Sequence, residues 1–130
     1  MIRILHVDDS SEELLLFRHC LLQRYPDAQI FSEETVTAAL ARLLRQEVDC
    51  IVSDLQMPGL NGVDFYKLLL MGSIDIPFVL YTGHTYNALI DQARQLGVTD
   101  IICKDRAEQM YDYVDQLIGL KLHDFEKELK

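Results

Sequence analysis

The 130-residue chain is short of positive charge: 12 Lys and Arg stand against 21 Asp and Glu, a net charge of −9. Phosphate backbones are held by clustered Lys and Arg, so this shortage argues against a nucleic-acid groove. It argues equally against docking on an anionic membrane surface. Long apolar runs are missing as well. Leu14-Leu15-Leu16-Phe17 and Phe78-Val79-Leu80-Tyr81 fall far below the roughly 18 residues a membrane span requires. The opening Met1-Ile2-Arg3-Ile4 lacks a signal-peptide layout and runs straight into a strand-like segment. Cysteines are few. Cys20, Cys50 and Cys103 are odd in number, far apart and form no CxxC, which argues against structural zinc and thioredoxin-like chemistry. They read as three small buried hydrophobes in a reducing, cytoplasmic compartment. Repeats, low-complexity tracts and linkers are absent before the C-terminal stretch, and the length suits one domain with one core.

What is present is an alternation of two apolar periods. Ile2 to Val7 is a short β-branched run ending at Asp8-Asp9. Ser10-Ser11-Glu12-Glu13 then supplies an N-cap and an acidic first turn, followed by Leu14, Phe17, Leu21 and Leu22 at helical spacing. Gln29-Ile30-Phe31 is a weak strand. Glu34 to Gln46 predicts a helix with Ala38, Ala39, Leu43 and Leu44 inward. Cys50-Ile51-Val52 is a fully apolar strand leading to Asp54, and Met57 to Gly62 is a turn-rich loop. Helices over Asp64 to Met71 and Tyr86 to Leu96 bracket a buried strand, Phe78 to Tyr81, that ends at Thr82-Gly83. Gly97 stops the second of these helices. Ile101-Ile102-Cys103 is a last strand, and a helix begins near Ala107. Five strand–helix units of this kind predict an α/β fold, a doubly wound parallel sheet with helices on both faces. Continuous apolar strands fit a sheet covered on both sides.

Ligands of such sheets bind outside the C-terminal ends of the strands. The polar residues there are Asp8-Asp9, Asp54, Thr82 and Lys104. Taken singly, each has an ordinary explanation as a cap, a turn or a solvated lysine. Taken together, three carboxylates, a hydroxyl and an ammonium converge on one rim. Clustered carboxylates repel one another and tend to hold protons, and a hard divalent cation resolves the conflict. Mg²⁺ prefers oxygen ligands and takes one or two carboxylates plus phosphate oxygens. Asp8 or Asp9, with Asp54, could supply carboxylate oxygens, and the backbone carbonyl of Gln56 could complete the set. A phosphoryl group on Asp54 would then be neutralised by Mg²⁺, the Lys104 ammonium and the Thr82 hydroxyl, with Gly83 leaving room for it.

The segments Ile4-Leu5-His6-Val7-Asp8-Asp9-Ser10, Asp49 to Gly62 (with Asp54-x-x-Met57-Pro58-x-x-x-Gly62), Pro77 to Gly83, and Gly97 to Lys104 together resemble the receiver domains of two-component response regulators. The likeness runs from Ile2 to about Gly119. It implies a flavodoxin-like (βα)5 sheet of strand order 2-1-3-4-5. It also implies that Asp54 accepts a phosphoryl group from a phosphohistidine on a sensor histidine kinase or phosphotransfer protein. Asp8 and Asp9 would bind Mg²⁺ with the Gln56 carbonyl, Lys104 would contact the acyl phosphate, and Thr82 would act as the switch. Gln56 and His84 occupy positions that, in the family, tune the lifetime of the acyl phosphate. Such a domain is a switch that promotes its own phosphorylation and slow dephosphorylation, not a turnover enzyme. The surface of the fourth helix, fifth strand and fifth helix would respond, altering partner binding or dimerisation.

Two positions depart from the family pattern. Ile101 stands where an aromatic ring usually changes rotamer with the switch Thr, and Tyr81 and Tyr86 are nearby substitutes between which the sequence does not choose. Asp105 stands where a Pro after a cis bond is usual. A non-proline cis bond costs about 3–4 kcal/mol, so a trans Lys104–Asp105 bond is expected. A receiver-like binding module that signals without phosphorylation fits these departures but not the intact pocket. A haloacid-dehalogenase-like phosphatase would need Asp-x-Asp on the first strand and a cap domain. A flavodoxin would need a Ser/Thr/Gly-rich phosphate loop where Asp8-Asp9 stands. The expected division is a receiver over 1–119 and an extension of the last helix over 120–130. There Val114, Ile118, Leu122, Phe125 and Leu129 keep helical spacing, either as a frayed end or as a helix that docks on a second protomer or a partner. No output module follows, so the chain either acts alone or is a receiver taken from a longer protein.

Overall fold

The apolar runs become strands and the amphipathic runs become helices in the expected order. The computed structural model describes residues 1–83 and 87–129. Its elements are β1 (Arg3–Val7), α1 (Ser11–Arg24), β2 (Gln29–Glu33), α2 (Val36–Leu43), β3 (Cys50–Ser53), α3 (Gly62–Met71), β4 (Phe78–Thr82), α4 (Ala88–Leu96), β5 (Asp100–Cys103) and α5 (Ala107–Glu128). The strands form one parallel sheet in the order β2-β1-β3-β4-β5. The flavodoxin-like order expected from the resemblance is therefore present.

Strand alternation divides the core into two layers. Leu5, Val7, Ile51 and Leu80 face α2, α3 and α4, where Val36, Phe65 and Ile90 cover them. Ile4, Val52, Val79 and Ile102 face α1 and α5, against Phe17, Leu21, Met110 and Val114. His6 lies on this second side, 1% exposed and 4.0 Å from the Phe17 ring. Burial, the largest influence, pushes its pKa down to about 3, so the imidazole is neutral.

Helix boundaries follow the caps. The Ser10 hydroxyl accepts from the Glu13 amide, as the sequence predicts. Asn61 accepts from the Val63 and Asp64 amides while Asp64 accepts from the Asn61 amide, and this box starts α3 two residues earlier than expected. Thr35 caps α2 and shortens it relative to the expected Glu34–Gln46. The short helix turns Val36 and Ala39 inward, so Leu44, expected inside, is 88% exposed. β2 continues to Glu33 and β5 begins at Asp100. Tyr86, expected to start α4, lies outside the described residues; Asn87 caps the helix from Ala88. Gly97, at φ +109, closes α4 in the left-handed conformation that favours glycine.

Of the three cysteines expected inside, only Cys50 is fully buried; Cys20 and Cys103 are half-buried. Burial pushes the Cys50 thiol up to about 12, which leaves it unreactive near neutral pH. Among the described residues no helix is long and apolar enough to cross a membrane.

Gly62 is where the backbone of α3 meets the end of β3. A Cβ there would collide with the Asp54 carbonyl oxygen and lie 2.9 Å from Leu80 Cδ2. The carbonyl is backbone and cannot step aside. Gly62→Ala is expected to destabilise the fold by about 1–3 kcal/mol, seen as a lower urea midpoint with an unchanged m-value. An unchanged midpoint would refute the close-approach reading.

Candidate functional site

The parallel register brings the strand ends to a common height. Val7 pairs with Ser53, and Thr82 with Cys103, so the next residues along β1, β3 and β5 (Asp8, Asp54 and Lys104) emerge on one rim. The Asp54 amide donates to the Val7 carbonyl (2.9 Å) and the Lys104 amide to the Thr82 carbonyl (2.8 Å). Asp8, Asp9 and Asp54 each offer one carboxylate oxygen within 4.8 Å of the others.

Lys104 reaches into this acidic group. Its Nζ donates to Asp8 Oδ2 at 2.7 Å and lies 3.7 Å from Asp54 Oδ2. Asp8 is 1% exposed at its side chain and Asp54 13%, so both depend on this partner. Asp8 Oδ1 also accepts from the Ser10 amide, and Asp54 Oδ1 from the Leu55 amide. Asp54 Oδ2 is the oxygen nearer Lys104, 3.7 Å from its ammonium. Burial is the main reason the Asp54 pKa is raised; Asp8 and Asp9 push it the same way, while Lys104 and the Leu55 amide oppose them. Burial works against the Lys104 ammonium, but the Asp8 hydrogen bond and the charge of Asp54 outweigh it and raise its pKa.

Thr82 ends β4 and is 1% exposed. Gln56 lies in the β3–α3 loop, exposed, beside Met57, Pro58, Asn61 and Leu89 around an open cavity of about 360 Å³. A Cβ at Gly83 would meet nothing within 4 Å, so that glycine leaves open space beside Thr82. His84 and Tyr86 lie outside the described residues. Ile101 pairs with Leu80 and packs against the α3–α4 layer. Tyr81 takes the opposite face: its ring is 6.1 Å from Phe17, and its hydroxyl donates to the Lys104 carbonyl at 3.4 Å. The Lys104–Asp105 bond is trans, as expected from the missing proline.

One residue near the pocket was not singled out from sequence. Glu13 Oε2 lies 3.8 Å from Lys104 Nζ, a fourth carboxylate at the mouth, 41% exposed. It was legible only as part of an acidic first turn, and helix phase does not reveal that it faces Lys104. Gly62 was legible as the last residue of the Asp-x-x-Met-Pro-x-x-x-Gly spacing but not as the residue against which Asp54 rests.

A family profile described as the response regulator receiver domain matches residues 4–115. The chain belongs to this family. It is 35% identical over 75 residues to the C4-dicarboxylate transport transcriptional regulatory protein DctD of Rhizobium meliloti (strain 1021), covering 58% of the chain and 16% of that protein. It is 32% identical over 108 residues to protein-glutamate methylesterase/protein-glutamine glutaminase 2 of Rhizobium johnstonii, covering 81% of the chain and 29% of that protein. The receiver thus spans less than a third of either relative. Among solved structures, the Vibrio cholerae chemotaxis protein CheY4 superposes with a TM-score of 0.78 at 24% identity, covering 90% of this chain and 98% of that one. The signal receiver domain of a LuxO repressor protein from Vibrio parahaemolyticus gives 0.80 at 26% identity, covering 95% of each chain.

Because the folded state holds a proton on Asp54 more tightly than the unfolded chain does, ionising Asp54 destabilises the fold as pH rises through its raised pKa. Asp54→Asn is therefore expected to raise the Tm at neutral pH in metal-free buffer. The gain should vanish below the ordinary aspartate pKa of 3.8. Thermal melts across pH check this; a lower Tm for the variant at pH 7 would contradict it.

Proposed function

We propose that this receiver is the phosphorylation switch of a two-component phosphorelay, with Asp54 as phosphoacceptor. The observation that carries the reading is the convergence of three carboxylate oxygens within 4.8 Å, with the Lys104 ammonium 3.7 Å from the Asp54 oxygen. An Asp54 oxygen attacks the phosphorus of a phosphohistidine on a sensor histidine kinase or phosphotransfer protein. The new P–O bond forms as the P–N bond breaks, and the imidazole departs with a proton.

The donor set fits Mg²⁺. All the side-chain ligands are oxygens of Asp8, Asp9 and Asp54, and the Gln56 carbonyl is the fourth protein donor in this reading. When bound, the ion would neutralise negative charge on the phosphoryl oxygens. The chain's own residues do the remaining work. Asp9, exposed beside the buried Asp8, offers its carboxylate from the solvent side. Lys104 holds its ammonium where phosphoryl charge develops. Thr82, one residue before Gly83, contributes the hydroxyl that follows the phosphoryl group. Gln56 and His84 stand two residues after Asp54 and Thr82, the positions that in the family tune how fast the acyl phosphate hydrolyses, and take that role here.

Phosphorylation adds about two negative charges beside Lys104 and shifts a pre-existing equilibrium of the α4-β5-α5 surface. That surface or the C-terminal helix then alters partner binding or dimerisation. The receiver occupies residues 1–119 and works in the cytoplasm. Its acyl phosphate hydrolyses slowly, so it signals rather than turns over substrate.

Incubation with acetyl phosphate and Mg²⁺ should give one acid-labile phosphate per chain by intact mass. Asp54→Asn should remove it, and full labelling of that variant would refute the assignment. Chelating the metal should abolish labelling as well. Gln56→Ala and His84→Ala are each expected to change the dephosphorylation rate several-fold, followed as loss of the acid-labile phosphate. Unchanged rates in both would remove these two residues from the mechanism.

A further inference from the structure

Ser10-Ser11-Glu12-Glu13 has the form of a capping box, in which the last glutamate reaches back to the amide of the capping serine. Only half of that box is made. The Glu13 amide donates to Ser10 Oγ at 3.3 Å, but the Ser10 amide donates to Asp8 Oδ1 at 2.9 Å. Asp8 has taken the place of the glutamate. The Glu13 carboxylate turns instead to the rim, where its Oε2 lies 3.8 Å from Lys104 Nζ with the side chain 41% exposed. Through Ser10, the backbone of Glu13 is tied to the side chain of Asp8.

The Lys104 ammonium therefore has three carboxylate neighbours: Asp8 Oδ2 at 2.7 Å, Asp54 Oδ2 at 3.7 Å and Glu13 Oε2 at 3.8 Å. The last two distances keep the Glu13 and Asp54 oxygens within the Debye length of about 8 Å at physiological ionic strength. Glu13 is not among the carboxylates whose oxygens lie close enough together to share a cation; those are Asp8, Asp9 and Asp54. With Mg²⁺ held there, the ion and the ammonium balance the three aspartates. Glu13 is the charge in excess, and it leaves the rim one charge negative.

We propose that Glu13 is a specificity-determining residue of the phosphorylation site: its carboxylate selects phosphodonors by charge and holds back free dianionic ones. This role rests on Asp54 being the phosphoacceptor. Acetyl phosphate is a dianion at neutral pH and meets the Glu13 charge in full. Phosphoramidate carries a proton on its nitrogen, arrives with one negative charge fewer, and is resisted less. In each case the bond from the Asp54 oxygen to phosphorus forms as the old bond to phosphorus breaks. The leaving group is acetate from the first and, its nitrogen being already protonated, ammonia from the second. A charge as exposed as Glu13 acts through a screened field, so its effect is several-fold and fades with salt. The competing role for Glu13 is to hold Lys104 in place. Removing the carboxylate would then loosen the ammonium and slow both donors, the opposite sign.

Glu13→Gln removes the charge and keeps the size. In saturating Mg²⁺ at low salt, its labelling by acetyl phosphate, followed by intact mass, is expected to run about threefold or more faster than in the wild type, with a smaller gain for phosphoramidate. Both gains should shrink toward none in high salt. The affinity for Mg²⁺, measured by calorimetry without phosphodonor, should move the other way and weaken about twofold, because the cation loses a nearby negative charge. Glu13→Asp keeps the charge and should bring the acetyl phosphate rate back toward the wild type. Glu13→Ala makes the same test as Glu13→Gln without an amide that could bond Lys104. Labelling that is slower with both donors, unchanged, or faster by the same factor for both overturns the proposal and leaves Asp54 as the acceptor. Absence of labelling by either donor, in the wild type and in Glu13→Gln alike, removes the phosphoacceptor reading and the role of Glu13 with it.

Discussion

Three carboxylates cannot share a small volume without a positive charge among them, and much of this molecule follows from how that charge is supplied. Lys104 sits 2.7 Å from Asp8 and 3.7 Å from Asp54. Removing the ammonium would leave a buried carboxylate with only amide partners, a costly state. The lysine comes from the opposite end of the sequence and can reach the aspartates only because β5 lies parallel to β4, β3 and β1. The charge balance of the rim is therefore a test that the whole sheet must pass. A register slip in any of the three intervening pairings would displace the ammonium by the rise of a residue, about 3.3 Å, enough to lose the pair.

The two faces of the sheet divide the labour around this rim. Ile101 and Leu80 fill the α3–α4 side with aliphatic contacts. Aromatic rings lie on both faces: Phe65 and Tyr66 meet Phe78 on the α3–α4 side, and on the α1–α5 side Phe17 stands between His6 and Tyr81. The position where receivers usually carry an aromatic ring is held here by Ile101, packed in the α3–α4 layer. The nearest ring on β4, Tyr81, lies on the far side of the sheet and contacts the backbone of Lys104 instead.

Much of this was legible in the sequence because it depends on short-range pattern. Strand ends at Asp8, Asp54, Thr82 and Lys104 could be read from apolar runs, and the topology of parallel sheets then placed them together. What was not legible depends on helix phase and on backbone proximity. Leu44 looked inward on a longer helix, but the Thr35 cap and the inward Val36 and Ala39 leave it at the surface. Glu13 is one of two adjacent acids in a first turn, and only the direction of α1 separates the one facing Lys104. Cys20, on α1, and Cys103, on β5, have apolar neighbours in sequence but lie at half-buried positions. Each case needs a three-dimensional neighbour that no local spacing encodes.

The amide of Lys104 is bonded to the carbonyl of Thr82, and the amide of Asp54 to that of Val7. The residues around the pocket are thus joined through the main chain as well as through their side chains. Such a frame resists being deformed a residue at a time: a displacement of the lysine's backbone strains the threonine's, and a displacement of Asp54's strains the end of β1. A phosphoryl group arriving at this rim would therefore meet side chains set on a stiff frame, and any change it works there starts with side chains rather than with the strands that carry them.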